Sequence, residues 1–285
     1  MKDETQSDTA PIQKLAGLEV VEVEVGSRCN RRCTYCPVSL DPTPPVPRLM
    51  PDNVFFTLIE QLAQHGFGGR ISYHLYNEPL LRADLTELVE LVDRKLPEAL
   101  QILNTNGDLL NDKRYSQLRR AGIDYFFVTR HSTGIFPDRP FQIVQYWTEL
   151  SLTNRGGTLK DLPGPSTSAR KTPCFAPSEM LIVTVTGDVL LCYEDAARTH
   201  IMGNVLQTSL AEIWTASHFE LFRSRLAQGD RALDPMCSAC SNVSHCQPGL
   251  SALEDPVLTS TRTHRSPSVI EELKRRSRTA RDTSG

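Results

Sequence analysis

Apolar and polar residues follow two rhythms along this chain, and the change between them divides it. Val20–Val25 is a β-branched run ending at Gly26, and Pro51–His65 then places apolar residues at helical spacing, with Pro51 or Asp52 suited to its start. Ile71–Tyr76 is strand-like again and Leu85–Lys95 helical; Leu100–Leu103, Lys113–Ala121 and Tyr125–Val128 continue the alternation. Repeated β–α units predict a parallel sheet, either open and doubly wound or closed into a full or partial barrel. The rhythm breaks after about residue 140, where Gly156-Gly157 and Gly164-Pro165 mark a linker. Met180–Thr184 and Val189–Tyr193 flank Thr186-Gly187-Asp188, the pattern of a β-hairpin. One helix is expected over about Leu210–Ala227, followed by CSACSNVSHC.

The expected organisation is a flexible N-terminus at 1–15, a core at 16–158, a smaller domain at 170–250 and a flexible tail at 255–285. The two ends are polar and rich in Ser, Thr and Arg, a composition that buries little. Within the tail, VIEELKRR at 269–276 is suited to a short helix.

With 285 residues, 39% apolar and 23% charged, the chain has the composition of a globular protein with a sizeable core. A net charge of −3 gives no case for binding nucleic acid or a membrane surface. No apolar run reaches the roughly 20 residues that a membrane span needs. The opening MKDETQSDTAPIQK lacks an apolar signal core, so a cytoplasmic location is expected. In that reducing setting the eight cysteines, which are clustered, point to metal binding or reactivity rather than disulfides.

Cys29, Cys33 and Cys36 form C-x3-C-x2-C just after the first strand-like run. Three thiolates so close in sequence can hold three corners of a [4Fe–4S] cube, leaving the fourth iron open to a small molecule. A zinc knuckle is the alternative, although structural zinc favours two CxxC-like pairs in a closed shell. The triplet CNRRCTYC resembles the signature of the radical S-adenosylmethionine (SAM) superfamily, with Tyr35 at the aromatic position before the third cysteine. Tyr76-Asn77-Glu78-Pro79 is similar to that family's Gly-Gly-Glu-Pro motif with both glycines replaced, and Asn104-Thr105-Asn106-Gly107 to the Thr-Asn-Gly that ends its third strand. The resemblance, over about 18–158, implies a partial (β/α)6 barrel and a SAM site that includes Tyr35, Asn77, Glu78, Asn106 and Ser132. Arg155, in NRGG, is suited to the SAM carboxylate or to substrate. Without the family context, Asn106-Gly107 reads as a turn, Ser132 as a cap and Arg155 as a surface cation.

Cys174, Cys192, Cys237 and Cys240 make a second set, with Cys246 left over and MGNVLQTSLAEIW at 202–214 between the second and third. From residue types alone, a four-cysteine zinc site is reasonable. The layout, however, resembles the SPASM and shorter twitch extensions of radical SAM enzymes, here built as a hairpin plus helix. That resemblance implies one auxiliary [4Fe–4S] cluster on these four ligands. In spacing and length it is similar to enzymes of the 2-deoxy-scyllo-inosamine dehydrogenase type.

These resemblances imply two [4Fe–4S] clusters, bound SAM and hydrogen-atom abstraction from a substrate carbon through a 5′-deoxyadenosyl radical. They further imply a sugar or aminocyclitol substrate and a flavodoxin- or ferredoxin-like electron donor. Epimerisation, as in enzymes of the neomycin C epimerase type, is the first expectation, because Cys246 is then free to return hydrogen to the opposite face. Oxidation of a secondary alcohol to a ketone, with the auxiliary cluster taking an electron, is the alternative, and peptide modification a further one. Cys246 also fits a buried small residue or a replacement ligand. A noncatalytic iron–sulfur scaffold is disfavoured by the SAM-like positions.

Overall fold

The computed structural model describes residues 15–40, 48–131, 136–249, 275 and 277–280. Eight strands form one open sheet in the order β5-β4-β3-β2-β1-β6-β7-β8. The first five are β1 (Val20–Val23), β2 (Arg70–Ser72), β3 (Leu100–Thr105), β4 (Tyr125–Arg130) and β5 (Gln142–Tyr146). Each is parallel to its neighbour, and β6 (Met180–Val183) adds a sixth parallel strand on the free side of β1. Helices α1 (Asp52–Gln64), α2 (Leu85–Lys95) and α3 (Asp112–Ala121) make the crossovers between β1 and β4. This is the sheet of the partial barrel that the sequence implied.

Local chemistry explains the crossovers. Pro51 stands at the N-cap of α1, and Val54, Phe55, Leu58, Ile59 and Leu62 give that helix one buried face. Asn111 caps α3 by accepting the Arg114 N–H, and Gly122, at φ 137°, ends it. Strand residues alternate between two faces. Val21, Val23, Ile71, Tyr73, Leu103, Phe126 and Val128 pack with the helices in the main core. The opposite face carries Val20, Met180, Ile182 and Leu190 in one apolar cluster and Leu100, Ile102, Tyr125 and Phe127 in another. Between these clusters lie buried polar groups, Glu22, Glu24, Arg70 and Ser72. A face that is both buried and polar is where a polar ligand can be held.

Several elements differ from the sequence reading. The hairpin expected over 180–193 forms as β6 and β7 (Asp188–Leu190), but β6 also pairs with β1 in register Val20–Met180 to Val23–Val183. The hairpin therefore continues the main sheet, and β8 (Ile201–Asn204) extends it by a further antiparallel strand. The run Ile71–Tyr76 is strand only to Ser72, because the chain then turns so that the Glu78 N–H reaches the Arg28 carbonyl at 2.8 Å. The helix expected over 210–227 is two helices, α5 (Leu210–Trp214) and α6 (Ser217–Ala227), preceded in the chain by the short α4 (Ala176–Glu179). A capping box of Ser209 and Glu212 starts α5, and Ala216 at φ −61°, ψ 134° breaks the run. Helix α7 (Pro235–Ala239) starts at Asp234, whose carboxylate accepts the Met236 and Cys237 N–H groups. Ser277 of the C-terminal segment is buried, donating to Asp124 at 2.7 Å and accepting from Arg119 at 3.0 Å. Among the described residues, no helix is long and apolar enough to cross a membrane.

Candidate active site

Cys29, Cys33 and Cys36 lie on the loop that leaves β1, each partly buried and free of any disulfide. Burial pushes the Cys29 and Cys36 thiols up, and Cys33 acts on both in the same direction, so the three crowd one another. The loop is tied to the end of β3. Arg31 donates from Nε and Nη2 to Asp108 at 2.7 and 2.6 Å, and Asn30 adds a third bond to that carboxylate at 3.0 Å. Asn106 donates to Asn30 Oδ1 at 2.8 Å and lies 3.9 Å from the Cys29 sulfur.

Glu78 organises this junction from below. It is 3% exposed, and its carboxylate accepts from Leu80 N at 3.0 Å, Thr105 Oγ1 at 2.7 Å and Asn106 N at 2.8 Å. Burial raises its pKa, while the Asn106 N–H, the Thr105 hydroxyl and the Leu80 N–H pull the other way. The side chain expected to touch SAM is thus engaged in holding the Thr105-Asn106-Gly107 turn against the cysteine loop. Asn77 keeps a donor available: its Oδ1 accepts from Leu75 N at 2.8 Å, while its buried Nδ2 has no partner.

Tyr35 stacks between two rings, with centroids 6.0 Å from His131 and 5.6 Å from Trp147. Its hydroxyl bonds His131 Nδ1, which also lies 3.5 Å from the Cys33 sulfur. Ser132 falls outside the described residues. Arg155 pairs with Glu194 at 3.2 Å and lies over the rings of Tyr76 and Tyr193, while its buried Nε has no partner. The Arg155 charge also favours the Cys36 thiolate, placing this pair beside the first cysteine set.

Cys174, Cys192, Cys237 and Cys240 line one cavity, together with Tyr193, Glu194, Asn242 and His245. Burial pushes the Cys192 thiol well up, followed by the charges of Cys240, Cys237 and Cys174; the Cys240 thiol is pushed up to about 12. Backbone N–H groups of Glu194 and Asn242 point at the Cys192 and Cys240 sulfurs, at 3.3 and 3.4 Å. Cys246 is partly buried and does not line this cavity.

The donor sets fit the groups that the sequence implied. Four cysteines round one cavity, two of them already receiving N–H bonds at sulfur, suit an iron–sulfur cluster. On the other side, unpaired buried donors on Asn77 and Arg155 suit an acceptor-rich ligand such as an amino acid carboxylate.

Glu194, Asp108, Asn154, His74 and His131 belong to this site and were missed in the sequence. Glu194 had a local signal, being two residues beyond Cys192. His74, just beyond β2, is joined to Asn104 of β3 at 3.2 Å, a pairing with no local signal. Burial, then the charges of Arg70 and Arg155, lower its pKa to about 3, so the imidazole is neutral.

A family model described as the radical SAM superfamily matches residues 23–134, and one for SPASM, an iron–sulfur cluster-binding domain, matches 174–241. The S-adenosyl-L-methionine-dependent 2-deoxy-scyllo-inosamine dehydrogenase of Niallia circulans is 37% identical over 236 residues, covering 79% of this chain and 93% of its own. A crystal structure of BtrN in complex with AdoMet and 2-DOIA superposes with a TM-score of 0.76 at 34% identity, covering 82% of this chain and 97% of that one. BtrN in an open conformation gives a TM-score of 0.68 at 35% identity, over 80% and 94% of the two chains.

Proposed function

Because the chain belongs to the radical SAM superfamily, carrying SAM and two iron–sulfur clusters, we propose that it is a dehydrogenase that oxidises a secondary alcohol of an aminocyclitol to a ketone. The observation that carries this reading is the 37% identity to a dehydrogenase along 93% of that enzyme's length. It favours dehydrogenation over the epimerisation expected from a spare Cys246, and over peptide modification.

Cys29, Cys33 and Cys36 hold the SAM-binding cluster, and Cys174, Cys192, Cys237 and Cys240 the auxiliary one. Tyr35, Asn77 and Asn106 frame SAM, with Glu78 fixing Asn106 through its backbone N–H. When bound, SAM and its cluster supply hydrogen-atom abstraction, and the auxiliary cluster supplies an electron sink.

The chain's own residues do the rest. Arg155 pairs with Glu194, which lines the cavity of the second cysteine set, and its charge favours the Cys36 thiolate of the first. Glu194 Oε1 is taken by Thr153 at 2.9 Å, Arg155 at 3.2 Å and Asn242 at 2.9 Å; among the described residues Oε2 has only Thr153, at 3.1 Å. The pair therefore offers one acceptor and, on Arg155 Nε, one donor, which matches the hydroxyl and amino groups of an aminocyclitol. Oxidising H–C–OH to C=O releases a hydrogen atom, a proton and an electron. Glu194 Oε2 is placed to receive the proton, beside the cavity whose cysteines would hold an electron-accepting cluster. A flavodoxin- or ferredoxin-like donor in the cytoplasm reduces the first cluster.

The test is anaerobic incubation of the reconstituted enzyme with SAM and 2-deoxy-scyllo-inosamine in deuterated water. The expected product is about two mass units lighter than substrate, through the loss of two hydrogens. Deuterium at an inverted carbon, with no mass loss, shows epimerisation instead.

A further inference from the structure

The turn Asn154-Arg155-Gly156-Gly157 is fastened to the second cysteine set by more contacts than a linker needs. Asn154 is 4% exposed, and three of its polar atoms are used on one short segment. Its Nδ2 donates to Ala239 O at 2.8 Å, its Oδ1 accepts from Ser241 N at 3.0 Å, and its own N–H donates to Ser241 Oγ at 2.9 Å. Ala239 and Ser241 are the residues on either side of Cys240.

Packing gives a second, independent view of the same junction. A Cβ on Gly156 would lie 2.5 Å from Met236 Cγ and 3.1 Å from the Glu194 carbonyl oxygen, and one on Gly157 would lie 3.0 Å from Ala239 Cβ. The turn is pressed onto α7, the helix that carries Cys237 and leads into Cys240. Three successive residues have positive φ, Arg155 at 49°, Gly156 at 59° and Gly157 at 88°. For arginine this left-handed backbone is disfavoured, and it persists only where surrounding contacts enforce it. The bonds of Asn154 are those contacts.

We propose that this turn is a strut joining the Cys240 loop to Arg155, with Asn154 as the positioning residue that makes the hold on the loop and the placement of Arg155 one interaction. The inference rests on the reading of Arg155 as a substrate contact. The auxiliary site then does more than accept an electron: its loop sets where the guanidinium stands. Residues that orient ligands from behind typically change metal retention or activity about 10–100-fold when removed.

The experiment uses the full-length, anaerobically reconstituted holoenzyme and two readouts. The first is the rate at which an iron chelator strips the auxiliary cluster. Asn154→Ala speeds it about tenfold, while Arg155→Ala, which leaves the strut bonds intact, releases iron at the wild-type rate. The second is turnover of 2-deoxy-scyllo-inosamine: Asn154→Ala raises its KM about tenfold, with SAM affinity unchanged. Asn154→Asp, which keeps the Ser241 N–H bond but turns a carboxylate oxygen toward the Ala239 carbonyl, moves both readouts in the same direction as alanine, and serves if the alanine variant fails to fold. A wild-type iron-release rate in Asn154→Ala overturns the strut, as does faster release with an unchanged KM. A wild-type enzyme that ignores this substrate counts against the dehydrogenase reading, while the iron-release comparison still decides the strut.

Discussion

Replacing Glu78 by glutamine tests whether that side chain is a tie or a ligand. The wild-type carboxylate accepts from Leu80 N, Thr105 Oγ1 and Asn106 N, at 3.0, 2.7 and 2.8 Å. An amide has one acceptor oxygen. Placed at the Oε1 position it keeps the Leu80 and Thr105 bonds, but its NH2 then faces the Asn106 N–H, donor against donor. Asn106 is 6% exposed, so water does not rescue it. A lost charge-assisted bond and a stranded buried donor cost roughly 1.5–3 and 1–3 kcal/mol. Removing a buried charge whose pKa is already raised by desolvation offsets part of this. The net expectation is about 2–4 kcal/mol, or roughly 3–7 °C in Tm for a chain of this size. Because Asn106 also holds Asn30 and approaches Cys29, its displacement should weaken SAM binding about tenfold without removing either cluster. Thermal unfolding, iron content and equilibrium dialysis of SAM on the reconstituted variant read all three. Wild-type Tm with unchanged SAM affinity would show that the carboxylate ties nothing.

Three further outcomes are expected. Cys246→Ala should keep about eight iron per chain and still form ketone, because four other cysteines line the cavity; losing product while SAM cleavage continues would restore the hydrogen-donor role. Asp108→Asn should change stability by less than about 1 kcal/mol, since the Arg31–Asp108 side chains are 25% and 27% exposed, yet loosen the cysteine loop and raise the SAM dissociation constant; equal SAM affinity in titrations refutes this. His74 has a folded pKa of about 3 against 6.5 unfolded, so its contribution to stability is present above pH 6.5 and lost as pH falls toward 3. The slope is at most ~1.4 kcal/mol per pH unit, and denaturant midpoints across that window should be flatter in His74→Gln; parallel curves would show that His74 is not held neutral.

What the sequence made legible was local. Helices α1 and α2 emerged with nearly their observed ends, because one apolar face defines each. Both cysteine sets were visible as spacings. The pairing of β6 with β1 was not, because VVEV and MLIV are interchangeable apolar runs about 160 residues apart and nothing local says that they meet. The strand β5, Gln142–Tyr146, is a half-exposed edge strand, so it lacks the alternation that reveals buried ones. The break between α5 and α6 contains neither Gly nor Pro; it is set by packing, with Trp214 donating to the Ala16 carbonyl and Arg223 lying 3.7 Å over the Trp214 ring. At the site, Arg155 stood out in the sequence and Asn154 beside it did not, since the partners of Asn154 lie 85 and 87 residues onward.

That long-range pairing bears directly on the chemistry. The proposed dehydrogenation would send a hydrogen atom and an electron from one carbon to two different places, so both acceptors must keep a fixed relation to the substrate. A linker between two modules would not provide that. Here the first cysteine loop leaves β1 and Cys192 follows β7, and the two are joined through β6 in one hydrogen-bonded sheet. Glu24, just beyond β1, strengthens the seam: it is 1% exposed and accepts from Val185 N at 2.9 Å and from Arg198 at 2.7 and 3.0 Å. Burial raises its pKa, and Arg198 opposes that shift by favouring the charged form. Breaking such a buried pair on one side leaves a charge stranded, at a cost of about 3–5 kcal/mol. The seam therefore resists local opening, and one hydrogen-bonded sheet anchors both the first cysteine loop and Cys192.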